Sequence, residues 1–186
     1  MRNLAFGLLA ALFSLPSLAQ PGPYVGQPGK DVVWVPTPHV LVEKMLDMAR
    51  VTPQDYVMDL GSGDGRNIIA AAKRGARALG VEYDRELLHL ARNNAAAAGV
   101  AERALFVEGD MFEADISAAT VLALFLLPDN LKRLKPKFER MKPGTRIVTN
   151  GFPIDGWVAN ETGTAAGDCG SWCTAYLYIV GESSRN

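Results

Sequence analysis

The sequence lacks a basic excess. Its 19 Lys and Arg stand against 20 Asp and Glu, a formal net charge of -1, whereas a protein built to grip a nucleic-acid backbone carries a surplus of positive charge. Duplex nucleic acid is therefore not the expected partner. Only two cysteines and two histidines occur. Two thiols do not make a four-ligand zinc site, and His39 and His89 lie far from Cys169 and Cys173, so no metal is expected. Each histidine reads as an ordinary surface or packing residue. There is no internal repeat, no low-complexity tract beyond Ala95 to Ala98, and no apolar run of the roughly 20 residues that a membrane-spanning helix needs. What is present is a globular balance, 48% hydrophobic and 21% charged residues over 186 positions, which excludes disordered or collagenous chains and accommodates one ordinary domain.

The first nineteen residues are set apart. Arg2 supplies a positive start, Leu4 to Leu15 is a short apolar stretch, and Ser17-Leu18-Ala19 is a small-x-small cleavage site before Gln20. Together they read as a secretory signal peptide or leader. Pro16 and a Pro/Gly-rich linker over residues 20–30 separate it from the domain expected over 31–186. An exported or periplasmic location follows, or a membrane-anchored one if the leader is retained. In an oxidising compartment Cys169 and Cys173, within Cys-Gly-Ser-Trp-Cys, are a candidate disulfide.

Beyond residue 30, strand-like and helix-like segments alternate. Thr37-Pro38 is a cap followed by proline at the first helical position, opening a helix through about Arg50 with Leu41, Met45, Leu46 and Met48 on its apolar side. The pattern then predicts a strand at Tyr56 to Leu60, a helix at Gly65 to Arg74 and a strand at Arg77 to Glu82, a β-α-β unit. A helix capped by Asp84 runs to about Ala98. Strands follow at Ala104 to Glu108, Thr120 to Leu124 and Arg146 to Asn150, with a Lys- and Arg-rich helix from Asp129 to Met141 before the last. The near-continuous apolar runs suit parallel strands covered on both faces. The tail, with Ala175 to Val180, reads as a terminal hairpin.

The chemistry concentrates at Asp59-Leu60-Gly61-Ser62-Gly63-Asp64-Gly65-Arg66. A glycine loop between strand and helix brings a ligand close to unpaired N–H groups at a helix N-terminus. A dinucleotide site calls for G-x-G-x-x-G. Here the spacing is G-x-G-x-G, and Asp59 stands where it repels a pyrophosphate and attracts an ammonium. Glu82, ending the second strand, is placed to accept from both ribose hydroxyls, with Tyr83 beside it. At the end of the third strand, Asp110 is placed to accept from an exocyclic amine while Met111 or Phe112 packs on the ring. The expected ligand is a nucleoside with an amino group and no phosphate, held by Asp59, Gly61, Ser62, Gly63, Gly65, Glu82, Tyr83, Asp110 and Met111.

These residues resemble the class I S-adenosylmethionine-dependent methyltransferases. Val35-Pro36-Thr37-Pro38, the glycine loop with Ala70-Ala71-Ala72-Lys73, Leu126-Leu127-Pro128 and Gly151-Phe152-Pro153 are similar to the small methyltransferases related to the ATP synthase c-subunit lysine methyltransferases. The resemblance implies a Rossmann-like α/β fold with a seven-stranded sheet, mostly parallel with a C-terminal antiparallel hairpin. It also implies S-adenosyl-L-methionine as cofactor and transfer of a methyl group to an amine, a protein lysine first and a small-molecule amine second.

Methyltransferases acting on base amines or glutamine amides carry a polar residue, two prolines and an aromatic after the fourth strand. This chain has Phe125-Leu126-Leu127-Pro128-Asp129, an apolar slot suited to an alkyl amine. Trp34, Phe125, Leu127, Pro128 and Trp157, with Tyr178, are the candidate walls of the acceptor channel, and no catalytic base is identified. A non-catalytic S-adenosylmethionine-binding module remains open as an alternative. A nicotinamide-dependent oxidoreductase is disfavoured by the glycine spacing and the lack of a Tyr-x-x-x-Lys pair.

Overall fold

A computed structural model describes residues 22–167, 169 and 173–183. The leader expected over residues 1–19 lies outside the described residues. Seven strands form one sheet in the order β3-β2-β1-β4-β5-β7-β6. They are β1 (Tyr56–Leu60), β2 (Arg77–Glu82), β3 (Ala104–Glu108), β4 (Val121–Leu124), β5 (Arg146–Asn150), β6 (Glu161–Thr164) and β7 (Thr174–Ile179). The first five are mutually parallel, and β7 runs antiparallel to both β5 and β6. The helices are α1 (His39–Met48), α2 (Arg66–Lys73), α3 (Arg85–Ala97) and α4 (Pro128–Phe138). β1, β2, β3 and β5 have the boundaries that the sequence pattern predicts.

Alternation along the strands sorts the core into two layers. Val57, Val121, Ala123 and Val148 face one cluster with Leu41, Met45, Ile68 and Ala91 from α1, α2 and α3. Their neighbours Met58, Leu122, Leu124 and Ile147 face the other, with Leu131, Leu134 and Phe138 from α4. The Lys- and Arg-rich α4 is only partly a solvated face. Arg133 lies 3.5 Å over the Phe112 ring, and Lys137 donates to the carbonyls of Phe112 and Ala114.

Two local expectations are corrected. Thr37 does not cap α1, whose N-cap is Pro38 without a side-chain bond; the Thr37 hydroxyl instead meets Asn150 Nδ2 at 3.4 Å. The described part of the supposed linker, from residue 22, is not detached. Gln27 is buried, Pro28 and Val33 form an antiparallel bridge, and residues 27–37 cross the carboxyl ends of the strands as a strap. Asp84 caps α3 as expected, accepting from the N–H of Glu86 and Leu87. Cys169 and Cys173 are joined in a disulfide between β6 and β7.

At the opposite edge of the central strands, buried Asp55 accepts from Arg146, Thr120 and the Thr52 N–H, while Arg146 also donates to the Ala49 carbonyl at the end of α1. Burial raises the Asp55 carboxyl, but the bonds from Thr120, Thr52 and Arg146 outweigh it, so the group titrates below its ordinary value of 3.8. A depressed folded-state pKa contributes stability above the unfolded value, lost as pH falls through the folded one. Arg146→Met should cost about 2–3 kcal/mol at neutral pH, since Asp55 keeps its three donors from Thr52 and Thr120. Urea unfolding across pH should show that cost shrinking below pH 3.8; a cost independent of pH would contradict this role for the pair.

Candidate active site

The strand order reverses direction between β1 and β4, the switch point where an open α/β sheet leaves a crevice beyond its strand ends. The glycine loop leaves β1 here and Phe125 leaves β4. Gly61, Gly63 and Gly65 have φ of 75°, 55° and 83°, a region costly to residues with a Cβ. A Cβ on Gly63 would also lie 2.7 Å from Trp34 Nε1 of the strap. The loop is tied to β2, because Gly61 and Ser62 both donate to the Val81 carbonyl.

The crevice has two chambers. The larger encloses about 640 Å³, its open mouth included, between strap residues 27–35 and Glu82, Tyr83, Asp84, Asp110 and Met111. Glu82 is 8% exposed and accepts from Gly63 N at 2.7 Å and Asp84 N at 2.9 Å, one bond to each oxygen. Each carboxylate oxygen has two acceptor sites, so each keeps one for a ribose hydroxyl. Asp110 pairs with Lys30 at 2.5 Å and accepts from Phe112 N. The Lys30 bond, then the Phe112 bond, holds the Asp110 carboxyl below the ordinary range. The Lys30 ammonium also lies 4.6 Å from the Tyr83 ring centre.

The smaller chamber, about 300 Å³, is polar and lies between the glycine loop and strap residues 34–37. Three side-chain atoms of residues that line it, Asp59 Oδ1, Ser62 Oγ and Asn67 Oδ1, are buried without a partner. Asp59 faces α2 because it shares the parity of Val57, and its other oxygen accepts from Asn67 Nδ2 at 3.0 Å. Burial pushes the Asp59 carboxyl well above the carboxylate range; the Asn67 bond opposes this, and the nearby Glu82 and Asp64 charges add to it. A cationic ligand group reverses that balance by giving the carboxylate a partner.

Trp34, Val35, Gly61 and Phe125 line both chambers and form the neck between them. A ligand with a nucleoside at one end and an amino acid at the other fits this outline, with its central atom at the neck. Not every candidate residue is there. Trp157 and Tyr178 pack edge to face at 6.0 Å within the α4-side core, and the Tyr178 hydroxyl accepts from Ile154 N, so both are core residues and not channel walls. Leu127 and Pro128 are exposed beyond the neck. Gly65 lines neither chamber; a Cβ there would meet Phe106 at 2.6 Å, which makes it a packing glycine. Gln27, Lys30, Thr37, Arg66 and Asn67 are site residues that the sequence did not single out. Arg66 and Asn67 directly follow the glycine motif, a signal that was available. Among the strap residues, Thr37 lies in the Val35-Pro36-Thr37-Pro38 motif, whereas Gln27 and Lys30 carried no signal beyond the proline content around them.

An acid whose folded-state pKa is raised costs stability above its unfolded value of 3.8. Asp59→Asn should therefore raise the melting temperature of the ligand-free protein at neutral pH, by roughly 2–4 °C for each kcal/mol recovered. The gain should vanish as pH falls toward 3.8, while the stabilisation by S-adenosylhomocysteine should diminish. Thermal scans with and without that compound test both; a variant that melts lower at neutral pH would refute the charge argument.

A family described as the ANTKMT methyltransferase domain matches residues 59–161. A protein-lysine N-methyltransferase of Saccharolobus islandicus is 46% identical over 154 residues, 81% of this chain and 95% of that protein. The ATP synthase c-subunit lysine N-methyltransferase of Mus musculus is 32% identical over 69% of this chain, which spans about half of it, 52%. A crystal structure of an RNA methyltransferase from Salinibacter ruber, in complex with S-adenosyl-L-homocysteine, superposes with a TM-score of 0.74 at 44% identity, covering 80% of this chain and 95% of that one. The glycine loop, Glu82, Asp110 and Phe125 fall within the matched residues, and the strap precedes them. The chain thus belongs to the ANTKMT methyltransferase domain family and is a class I S-adenosylmethionine-dependent methyltransferase.

Proposed function

We propose that this enzyme methylates the side-chain amine of lysine in protein substrates. The observation that carries this reading is the neck, where the two chambers meet between Trp34, Val35 and Phe125 without a titratable side chain. When bound, the cofactor supplies a methyl group already activated by the sulfonium. What remains for the protein is alignment and the exclusion of water. Glu82 and the glycine loop hold one end of the cofactor and the polar chamber holds the other, so the reacting centre is set between apolar walls. Those walls accept the aliphatic stem of a lysine. They also disfavour its ammonium, and dehydration lowers the amine pKa from its ordinary value of about 10.4 toward the neutral, nucleophilic form. A base is not required for this.

The Saccharolobus relative acts on protein lysine by its name, and the Salinibacter relative is described as acting on RNA. Net charge near zero and an apolar neck favour the protein substrate, since phosphate contacts dominate nucleic-acid affinity. Labelling a proteome with isotopic methyl donor, followed by mass spectrometry, should place the label on lysine side chains. Trp34→Ala should reduce that transfer by about tenfold or more while changing cofactor affinity far less, because it removes a wall that aligns the nucleophile. Label in RNA, or only in small metabolites, would refute the lysine assignment and leave the methyltransferase intact.

We further propose an oxidising location. The leader and the Cys169–Cys173 bridge support it, because disulfides persist outside reducing cytosol. Non-reducing peptide mapping of protein from its native compartment should recover one linked peptide; two free thiols would overturn the proposal.

A further inference from the structure

The polar chamber offers acceptors in surplus. The unpartnered buried atoms on Asp59, Ser62 and Asn67 are acceptors, which suit an ammonium with its three N–H groups. The amino-acid end of the cofactor is a zwitterion, however, so its carboxylate must enter the same chamber. The acids there, Asp59 and Asp64, repel it. Among the described residues that line the two chambers, the cationic ones are Lys30 and Arg66. Lys30 belongs to the adenosine chamber, where Asp110 holds it. Arg66 is left as the cation of the polar chamber.

The geometry of Arg66 suits the task. Nε and Nη2 donate to the Asp64 carboxylate at 2.9 and 2.6 Å, and Nη1 donates to the Thr37 carbonyl of the strap at 2.6 Å. A guanidinium carries five N–H groups, so one on each terminal nitrogen remains to donate to a carboxylate. Asp64 offsets the charge of Arg66 but takes up only part of its fork. Arg66 is also the first residue of α2, whose positive end adds to the attraction for an anion.

We propose that Arg66 binds the carboxylate of the cofactor's amino-acid end, and thereby selects S-adenosylmethionine over adenosyl compounds that lack that end. The same guanidinium holds the strap through Thr37, so the carboxylate and the acceptor-side wall share one anchor. This rests on the S-adenosylmethionine reading of the cleft.

Calorimetric titration of the full chain with two probes separates the possibilities. S-adenosylhomocysteine has the amino-acid end, and 5′-methylthioadenosine lacks it. Arg66→Gln should weaken S-adenosylhomocysteine about 10- to 100-fold, as expected for loss of charge-assisted hydrogen bonds. It should change 5′-methylthioadenosine less than about threefold, since that probe needs only the adenosine chamber and reports that the chamber is still formed. Arg66→Lys, which keeps the charge and loses the fork, should lie between. Equal weakening of both probes would make Arg66 a structural residue and overturn the proposal, as would no weakening of either. A wild-type chain that binds neither probe would overturn the cofactor reading beneath it.

Discussion

One buried carboxylate organises the cleft. Glu82 closes the glycine loop by accepting from Gly63 N and steers the chain into α3 by accepting from Asp84 N. Asp84 in turn caps that helix. The loop after β1 and the turn after β2 are thus held to one charged group, which is the group left to meet a ribose. Backbone N–H bonds to a carboxylate are strong because one partner carries full charge. They also leave lone pairs over, so the acid can hold the loop and still accept from a ligand. Without this acid the Gly63 N–H would lose its partner and the loop would lose its relation to β2 beyond the bonds to Val81.

The two chambers divide the work by polarity. In the larger chamber, apolar surface from Val81, Leu87 and Met111 lies beside Glu82 and Asp110. In the smaller chamber, acids and unpartnered acceptors crowd together, and burial disfavours the ionised form of Asp59. Such a site is costly when empty and favourable when a cation enters, so stability is spent on a preorganised cradle. The apolar neck between them contributes no ionisable group, which fits a reaction whose electrophile arrives already activated.

The strap makes the cleft a closed space. Lys30 on Asp110, Gln27 on Asp84, Trp34 over Gly63 and Thr37 under Arg66 fasten it at both ends of the crevice. Its prolines restrict the chain between those anchors. One consequence is that Asp110, the acid placed to read an exocyclic amine, carries a lysine partner with which any ligand must share it or compete.

The strands, helices and glycine loop were legible from Tyr56 to Asn150 because each is specified locally: apolar runs of strand length, helix caps such as Asp84, and a G-x-G-x-G spacing beside an acid. The same local evidence placed Asp59, Glu82 and Asp110 at consecutive strand ends, since every strand in a parallel sheet delivers its end to one edge. Tertiary structure decided the rest. Trp157 and Trp34 look alike as aromatic residues in loops, yet one packs on Tyr178 in the core and the other covers the glycine loop. A Pro/Gly-rich stretch is a detached linker or a strap according to partners 57 and 80 residues away, Asp84 for Gln27 and Asp110 for Lys30. Periodicity and caps act over a few residues. Which wall a side chain joins is set by contacts across the fold, and those exist only once the sheet has brought distant segments to the same edge.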